Sequence, residues 1–174
     1  MPAVTIRPVR FEDAGALLEI YRPIVLESTA SFELEPPSVD EFRARIAKVI
    51  DRWVWLVAED SEGAVGYAYA TPHRSRAAYR YSIESSVYVA ASHQGRGIGK
   101  RLYTDLFDVV IARGFCHAYA GITLPNDPSV ALHESLGFAH IGVFRSVGRK
   151  FGAWHDVSWW HKPLRSAPTD EQGV

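Results

Sequence analysis

A mixed α/β fold, with a central sheet of about seven strands and helices on both faces, is what the order of elements in this sequence predicts. Three observations carry that expectation. Strand-like and helix-like stretches interleave along the chain in the order β, two helices, three strands, helix, strand, helix, two strands. Two strand-like stretches flank the turn DSEG at 60–63 and so form an antiparallel hairpin. A strand, a glycine-rich turn and a long amphipathic helix then follow, with a further strand behind them, the makings of a β-α-β unit.

Taken in order, residues 4–8 (VTIRP) alternate like a short strand. From 11 to 27, Ala14, Leu17, Leu18 and Tyr21 recur at helical spacing, Asp13 favours a first turn, and Pro23 is expected to end or kink the helix. The stretch 28–37 (STASFELEPP) reads as loop. Ser38 is placed to cap a helix over 39–50, with Glu41 completing a capping box. Strands at 54–59 and 64–70 form the hairpin, a basic connection (PHRSRAAYR) covers 72–80, and 83–89 is the next strand. In the helix 97–113, Ile98, Leu102, Leu106, Val109 and Val110 share one face, and Gly114 stands at its stop. Residues 115–122 read as a strand. Asp127 or Ser129 is expected to cap a short helix ending at Gly137, and 138–145 and 156–161 form a last pair of strands. Residues 1–164 thus read as one domain and 165–174 as a polar, disordered tail.

The bulk numbers exclude several function classes. At 174 residues, with 47% hydrophobic and 22% charged residues, the chain has the make-up of a soluble globular domain. Its formal net charge of −1 offers no global attraction to nucleic acid or to an anionic membrane, so neither is expected as a partner. Cys116 is the only cysteine, which rules out an intrachain disulfide and fits a reducing compartment. It lies in an apolar run and reads as a core residue rather than a nucleophile. With no signal-peptide pattern and no run near ~18 apolar residues, a cytoplasmic location is expected.

The chemistry concentrates in SVYVAASHQGRGIGKRLYTDLF. A helix N-terminus presents unpaired N–H groups and a positive dipole end, which suits a phosphate. Gly95, Gly97 and Gly99 permit close backbone approach, and Arg96, Lys100 and Arg101 add charge. The plainer alternative is a tight turn with glycines for geometry only. A dinucleotide fingerprint requires G-x-G-x-x-G and a P-loop requires G-x-x-x-x-G-K-[ST]; the spacing here matches neither.

The pattern that fits is Gln-x-x-Gly-x-Gly, formed by Gln94, Gly97 and Gly99. With the strand before it, the helix after it, and NDPSVALHESLGF at 126–138, the chain resembles the GNAT N-acetyltransferase superfamily. STASFELEPPS, GYAYATPHRSRAAY, SIESSVYV and GRKFGAWHDVSWW are similar to segments of its phosphinothricin acetyltransferase group, which includes methionine sulfoximine and sulfone acetyltransferases. The resemblance implies a GNAT fold, with a mostly antiparallel sheet splayed in the middle, and acetyl-CoA as acetyl donor with no metal. It places the pyrophosphate on Gln94, Gly95, Arg96, Gly97, Ile98, Gly99 and Lys100, and the pantetheine arm on Val87, Tyr88 and Val89.

The same resemblance assigns amine deprotonation to Glu84, a carboxylate within an otherwise strand-like run; the alternative is a charge partner for Arg74, Arg76 or Arg80. His133 stands where many relatives carry a tyrosine that protonates the leaving thiolate; its alternative is a helix histidine packed on Phe138. His133-Glu134 begins no HExxH zinc motif, because Gly137 occupies the second histidine position. Asn126 matches a cofactor contact in relatives, or is a turn-former ahead of Pro128. For the acceptor, Phe32 and Glu33 (read as part of the first helical region), Arg74, Ser75, Arg76, Ser85 and Ser86 are the candidates, with arginine suited to a carboxylate or phosphinate. The segment 150–155 is a further candidate surface. A small amino acid or analogue fits these groups; a polyamine, an aminoglycoside or a protein N-terminus is the rival acceptor, and a non-catalytic acetyl-CoA module the rival class. Three of the five tryptophans fall in GAWHDVSWW, expected near the interface of a homodimer, and the neighbouring His155 and Asp156 read as a buried structural pair.

Overall fold

The computed structural model describes residues 3–166. Seven stretches become strands: β1 (Thr5–Pro8), β2 (Val54–Asp60), β3 (Gly63–Pro72), β4 (Ser82–Val89), β5 (His117–Thr123), β6 (Ala139–Lys150) and β7 (Ala153–Pro163). They form one sheet in the order β1-β2-β3-β4-β5-β7-β6. Only the β4–β5 pairing is parallel. The helices are α1 (Ala14–Glu27), α2 (Val39–Ile50), α3 (Ile98–Ala112) and α4 (Asp127–Ser135).

Strand alternation builds two cores. Leu56, Ala58, Ala68 and Ala70 face α3, where Leu102, Leu106 and Val110 meet them with Ile83, Ile122 and Trp160. Trp55, Val57 and Tyr67 face α1 and α2, against Leu17, Leu18, Phe42 and Ile46. The period of two along β2 and β3 thus assigns each residue to one helical layer. Cys116 is buried in the sheet, as its apolar surroundings predict.

Ser38 caps α2 as expected, its Oγ accepting from the Glu41 N–H while Glu41 returns the bond to the Ser38 N–H. Other expectations are corrected. Pro23 does not end α1, which runs on to Glu27; burial of Tyr21 and Val25 on either side outweighs the one helical bond that proline removes. Asn126, rather than Asp127 or Ser129, caps α4, its Oδ1 accepting from the Ser129 N–H at 3.2 Å with Pro128 in the first turn. Phe32 and Glu33 lie in the loop between α1 and α2. The last strands are longer than predicted and form a hairpin turning at Phe151 and Gly152, whose φ values are 50° and 77°. Register shifts near His140/Gly142 and Phe144/Gly148 break the alternation that would have revealed them. At the end of the described chain the Leu164 N–H bonds the Cys116 carbonyl at 2.8 Å and Arg165 Nη2, within the expected tail, bonds that of Gly114 at 3.1 Å. Residues 167–174 of that tail lie outside the described residues. Among the described residues no helix is long and apolar enough to cross a membrane.

The feature that positions the site is an interruption of the sheet. β4 and β5 pair only through Ser82↔His117, Ile83↔Ala118 and Glu84↔Tyr119. From Ser85 onward β4 has no partner on that side, while β5 stays paired to β7 as far as Thr123↔Val157. The sheet splits at Glu84.

Candidate functional site

The split opens a cleft of about 840 Å³ between the second half of β4 and that of β5. The start of α3 and the face of α4 close one side, and the end of α1 borders the other. Val87, Tyr88 and Val89 line it with unpaired backbone edge, while the Tyr88 ring turns away beneath α1, 5.2 Å from the Tyr21 ring.

At the α3 end the backbone forms an anion cradle. Gly95 and Gly97 are left-handed, with φ of 73° and 75°, and Gly97 is the N-terminal cap of α3. Helical bonding starts with the Arg101 N–H to the Gly97 carbonyl, so the N–H groups of Ile98, Gly99 and Lys100 have no intrahelical acceptor. Those groups and the dipole behind them suit a phosphate. The Ile98 side chain is buried in the core, so only its N–H serves the cleft. A Cβ on Gly99 would stand 3.4 Å from Leu132 and 3.8 Å from Val89, ordinary contacts that narrow the cleft without a clash. Gln94 Nε2 donates to the Val89 carbonyl at 3.1 Å and ties the turn to the end of β4. His93 Nε2 lies 3.2 Å from Asp60 Oδ2, anchoring the same turn to the β2–β3 hairpin. Of the predicted cradle residues, Arg96 is exposed and outside the lining, whereas Lys100 lies at its edge.

Two clusters meet at the split from opposite faces of the sheet. On the α3–α4 face, His133 is buried, with Nδ1 2.7 Å from the Ser129 carbonyl and Nε2 3.4 Å from the Tyr103 hydroxyl. A carbonyl only accepts, so Nδ1 carries the proton and Nε2 presents its lone pair to Tyr103. Burial pushes the His133 pKa down and holds the ring neutral. Burial also raises the Tyr103 pKa, and on the same face the Ser85 hydroxyl donates to the Tyr119 carbonyl at 3.4 Å. His133 also packs edge-on to Phe138, ring centroids 5.0 Å apart, the contact expected of a structural helix histidine.

On the α1–α2 face, half-buried Glu84 faces Arg74 Nη1 at 3.6 Å and His73 Nδ1 at 3.5 Å. Burial raises its carboxyl pKa and Arg74 pulls the other way. The Arg74 guanidinium lies over the Trp159 ring, 5.7 Å from its centroid. Ser75 and Arg76 are exposed in the same connection, and Ser86 lines the cleft. The Phe32 ring is packed so closely on Gly148 that a side chain there would overlap it. Glu33 is engaged by Arg45 and by the Tyr21 hydroxyl at 2.9 Å, a structural network. His155 and Asp156 do not pair with each other: His155 Nε2 meets the Lys150 carbonyl at 3.0 Å, and Asp156 takes the Ser146 N–H at 2.7 Å. Among the described residues no group of three or more His, Cys, Asp or Glu side chains is placed to hold a metal ion.

Three residues of this region carried no signal in the sequence. Tyr103 occupies the apolar stripe of α3, His73 lies in a basic connection, and Tyr119 in an ordinary strand. Only the tertiary register brings them to the split.

The family model "Acetyltransferase (GNAT) domain" matches residues 6–159. The phosphinothricin N-acetyltransferase of Streptomyces viridochromogenes is 43% identical over 159 residues, covering 91% of this chain and 87% of that one. The L-methionine sulfoximine/L-methionine sulfone acetyltransferase of Salmonella typhimurium is 36% identical, covering 92% of this chain and 95% of that one. Among solved structures, a phosphinothricin acetyltransferase of Sinorhizobium meliloti in complex with acetyl-CoA superposes with a TM-score of 0.91 at 36% identity, covering 97% of this chain and 94% of that one.

Proposed function

The chain belongs to the GNAT acetyltransferase family, and from that premise we propose that it transfers the acetyl group of acetyl-CoA to the amine of a small amino acid or analogue, of the phosphinothricin or methionine sulfoximine type. One observation carries the reading: the sheet splits at Glu84, with an anion cradle at one end of the cleft and a half-buried carboxylate on the opposite face.

The N–H groups of Ile98, Gly99 and Lys100 hold the pyrophosphate, and Asn126 borders the same cleft at the cap of α4. The unpaired edge of Val87, Tyr88 and Val89 accepts the pantetheine arm as a neighbouring strand would, and a main-chain N–H there serves the oxyanion. Bound acetyl-CoA supplies the thioester. Glu84 takes a proton from the acceptor ammonium, a role suited to a carboxylate whose pKa burial raises. The Tyr103 hydroxyl, which at rest donates to His133 Nε2, turns its proton to the departing thiolate and regains one from the second N–H that the acceptor nitrogen loses. His133, its Nδ1 proton committed to Ser129 and its Nε2 accepting from Tyr103, orients that hydroxyl and supplies no proton itself.

The acceptor's anionic group meets Arg74, with Arg76 and Ser75 in the same connection, and Phe32 is the apolar candidate from the α1–α2 loop. The Trp159 indole N–H, buried and without a partner among the described residues, adds a donor on that face. Basic groups around the entrance favour an anionic amino acid over a polyamine. Exposed Ile141, Phe144, Val147, Phe151 and Trp154 all lie on the β6–β7 hairpin, and this apolar strip is the face of a homodimer. Trp154→Glu should shift the sedimentation coefficient from dimer to monomer; a wild-type monomer removes the dimer.

Thiol release from acetyl-CoA, measured against a panel of free amino acids with phosphinothricin and methionine sulfone, tests the activity. Release with at least one small anionic amine is expected. Acetyl-CoA binding without release on any member overturns the proposal.

A further inference from the structure

The acceptor face of the split holds an imidazole that the reaction described so far leaves idle. His73 sits just beyond β3, its backbone N–H bonded to the Ser82 carbonyl at 3.3 Å, which fixes it beside the start of β4. Its ring stacks on Tyr119, centroids 4.4 Å apart and planes 18° from parallel. The rings of Tyr79 at 5.9 Å and Trp159 at 6.1 Å meet it edge-on. Nδ1 is buried and has no hydrogen-bond partner among the described residues, yet it lies 3.5 Å from Glu84 Oε2. A buried ring nitrogen left unpaired is costly, and here it is aimed at the carboxylate on which the transfer depends.

We infer that His73 is the second member of the base: it takes over the proton that Glu84 removes from the acceptor amine and releases it to solvent. This rests on the reading of Glu84 as the base. The proton balance requires such an exit. The acceptor ammonium loses two protons in becoming an amide; one ends on the departing thiolate, and the other must leave the site on every turnover. Glu84 carboxylate accepts it from the ammonium, the Nδ1 lone pair of neutral His73 accepts it from the Glu84 carboxyl, the imidazolium releases its Nε2 proton to water, and tautomer exchange through solvent restores the Nδ1 lone pair before the next turnover. The carboxylate is thereby restored for the next substrate. Glu84 and His73 differ by less than one ångström from hydrogen-bond contact, and protonation of either closes that gap by attraction.

The surroundings support the exchange. Burial and Arg74 lower the His73 pKa, while burial raises that of Glu84, so the two groups are brought toward each other and a proton moves between them at small cost. The titratable or charged groups that face the pair are Arg74 from the same connection, Tyr79 from the turn beyond it, and Tyr119 from β5. Behind Tyr119, His161 stacks at 4.9 Å from β7 and bonds His117 at 3.1 Å.

The test compares the wild type with His73→Phe, His73→Gln, His73→Ala and Glu84→Gln at saturating acetyl-CoA, across pH 5–9. His73→Phe keeps a ring to stack on Tyr119; it should lower kcat by about 10- to 100-fold with the KM for acetyl-CoA unchanged. His73→Gln, which keeps a hydrogen-bonding group but carries no proton, should be as slow. The acid limb of kcat/KM should fall from a two-proton to a one-proton slope, and added imidazole should restore turnover to His73→Ala but not to Glu84→Gln. Wild-type turnover and slope in His73→Phe, or full activity in His73→Gln, overturns the relay. Full activity in Glu84→Gln instead removes the base reading itself, whatever the His73 variants do.

Discussion

Replacing Lys150 with methionine separates the acceptor side of the site from the acetyl-CoA side. Lys150 is 3% exposed, and its Nζ donates to the Val25 carbonyl at 2.6 Å and the Ser31 carbonyl at 2.7 Å. The first belongs to the last turn of α1, where carbonyls have no helical partner; the second lies in the loop that carries Phe32. Methionine fills similar volume but leaves both carbonyls without this donor. Each buried, unpaired carbonyl costs about 1–3 kcal/mol, and relief of the ammonium's desolvation offsets part of the sum. A net loss of about 2–4 kcal/mol follows, a urea midpoint lowered by about 1–2 M at an m-value near ~2 kcal/mol/M. Because the loop loses its tie to the β6–β7 hairpin, the acceptor KM should rise several-fold while the KM for acetyl-CoA holds. Urea titration and initial-rate kinetics on the two substrates measure both. A midpoint within ~0.2 M of wild type, or equal rises in both KM values, would refute the reasoning.

The remaining predictions address the pH response and the two helix starts. His133 is held neutral by burial, so its folded pKa lies below that of the unfolded chain; the unfolded state then binds a proton near pH 6.5 that the folded state refuses. Stability should therefore be highest above pH 6.5 and fall as pH drops below it, by up to about 1.4 kcal/mol per pH unit for each such group, with His73 and His161 shifted in the same direction. Urea midpoints between pH 7 and pH 5 report this, and a midpoint that rises toward pH 5 contradicts it. Asn126→Ala removes the cap on the Ser129 N–H and should cost about 1 kcal/mol, read as a lower Tm. Gly97→Ala meets no neighbour but must hold a φ of 75°, at about 1–2 kcal/mol. It should weaken acetyl-CoA binding by calorimetry; unchanged affinity detaches the turn from phosphate binding.

What the sequence made legible is what local chemistry determines. The capping box of Ser38 and Glu41, the stop of α3 at Gly114 and the hairpin at 60–63 each depend on a few neighbouring residues. The cap of α4 was misplaced because three polar residues compete for it, and the winner depends on where Pro128 places the first turn. Pro23 does not stop α1 because its local penalty is outweighed by packing of its neighbours against a distant sheet. The split at Glu84↔Tyr119 is a register between strands separated by the whole of α3, and periodicity carries no trace of it; the family resemblance alone foresaw a splayed sheet. The same holds for Tyr103 against His133 and for His73 against Glu84. Each pair joins a residue that reads as ordinary core or loop to one already marked by chemistry.

The central claim is that Glu84 acts on the acceptor and takes no part in holding acetyl-CoA. Glu84→Gln preserves the shape of the side chain at the split and removes its capacity to accept the proton. Parallel measurement of kcat by thiol release and of acetyl-CoA Kd by calorimetry decides the matter. The account predicts a fall in kcat of about 100- to 10,000-fold with Kd within twofold of wild type. Undiminished turnover, or losses of equal size in turnover and affinity, would contradict it.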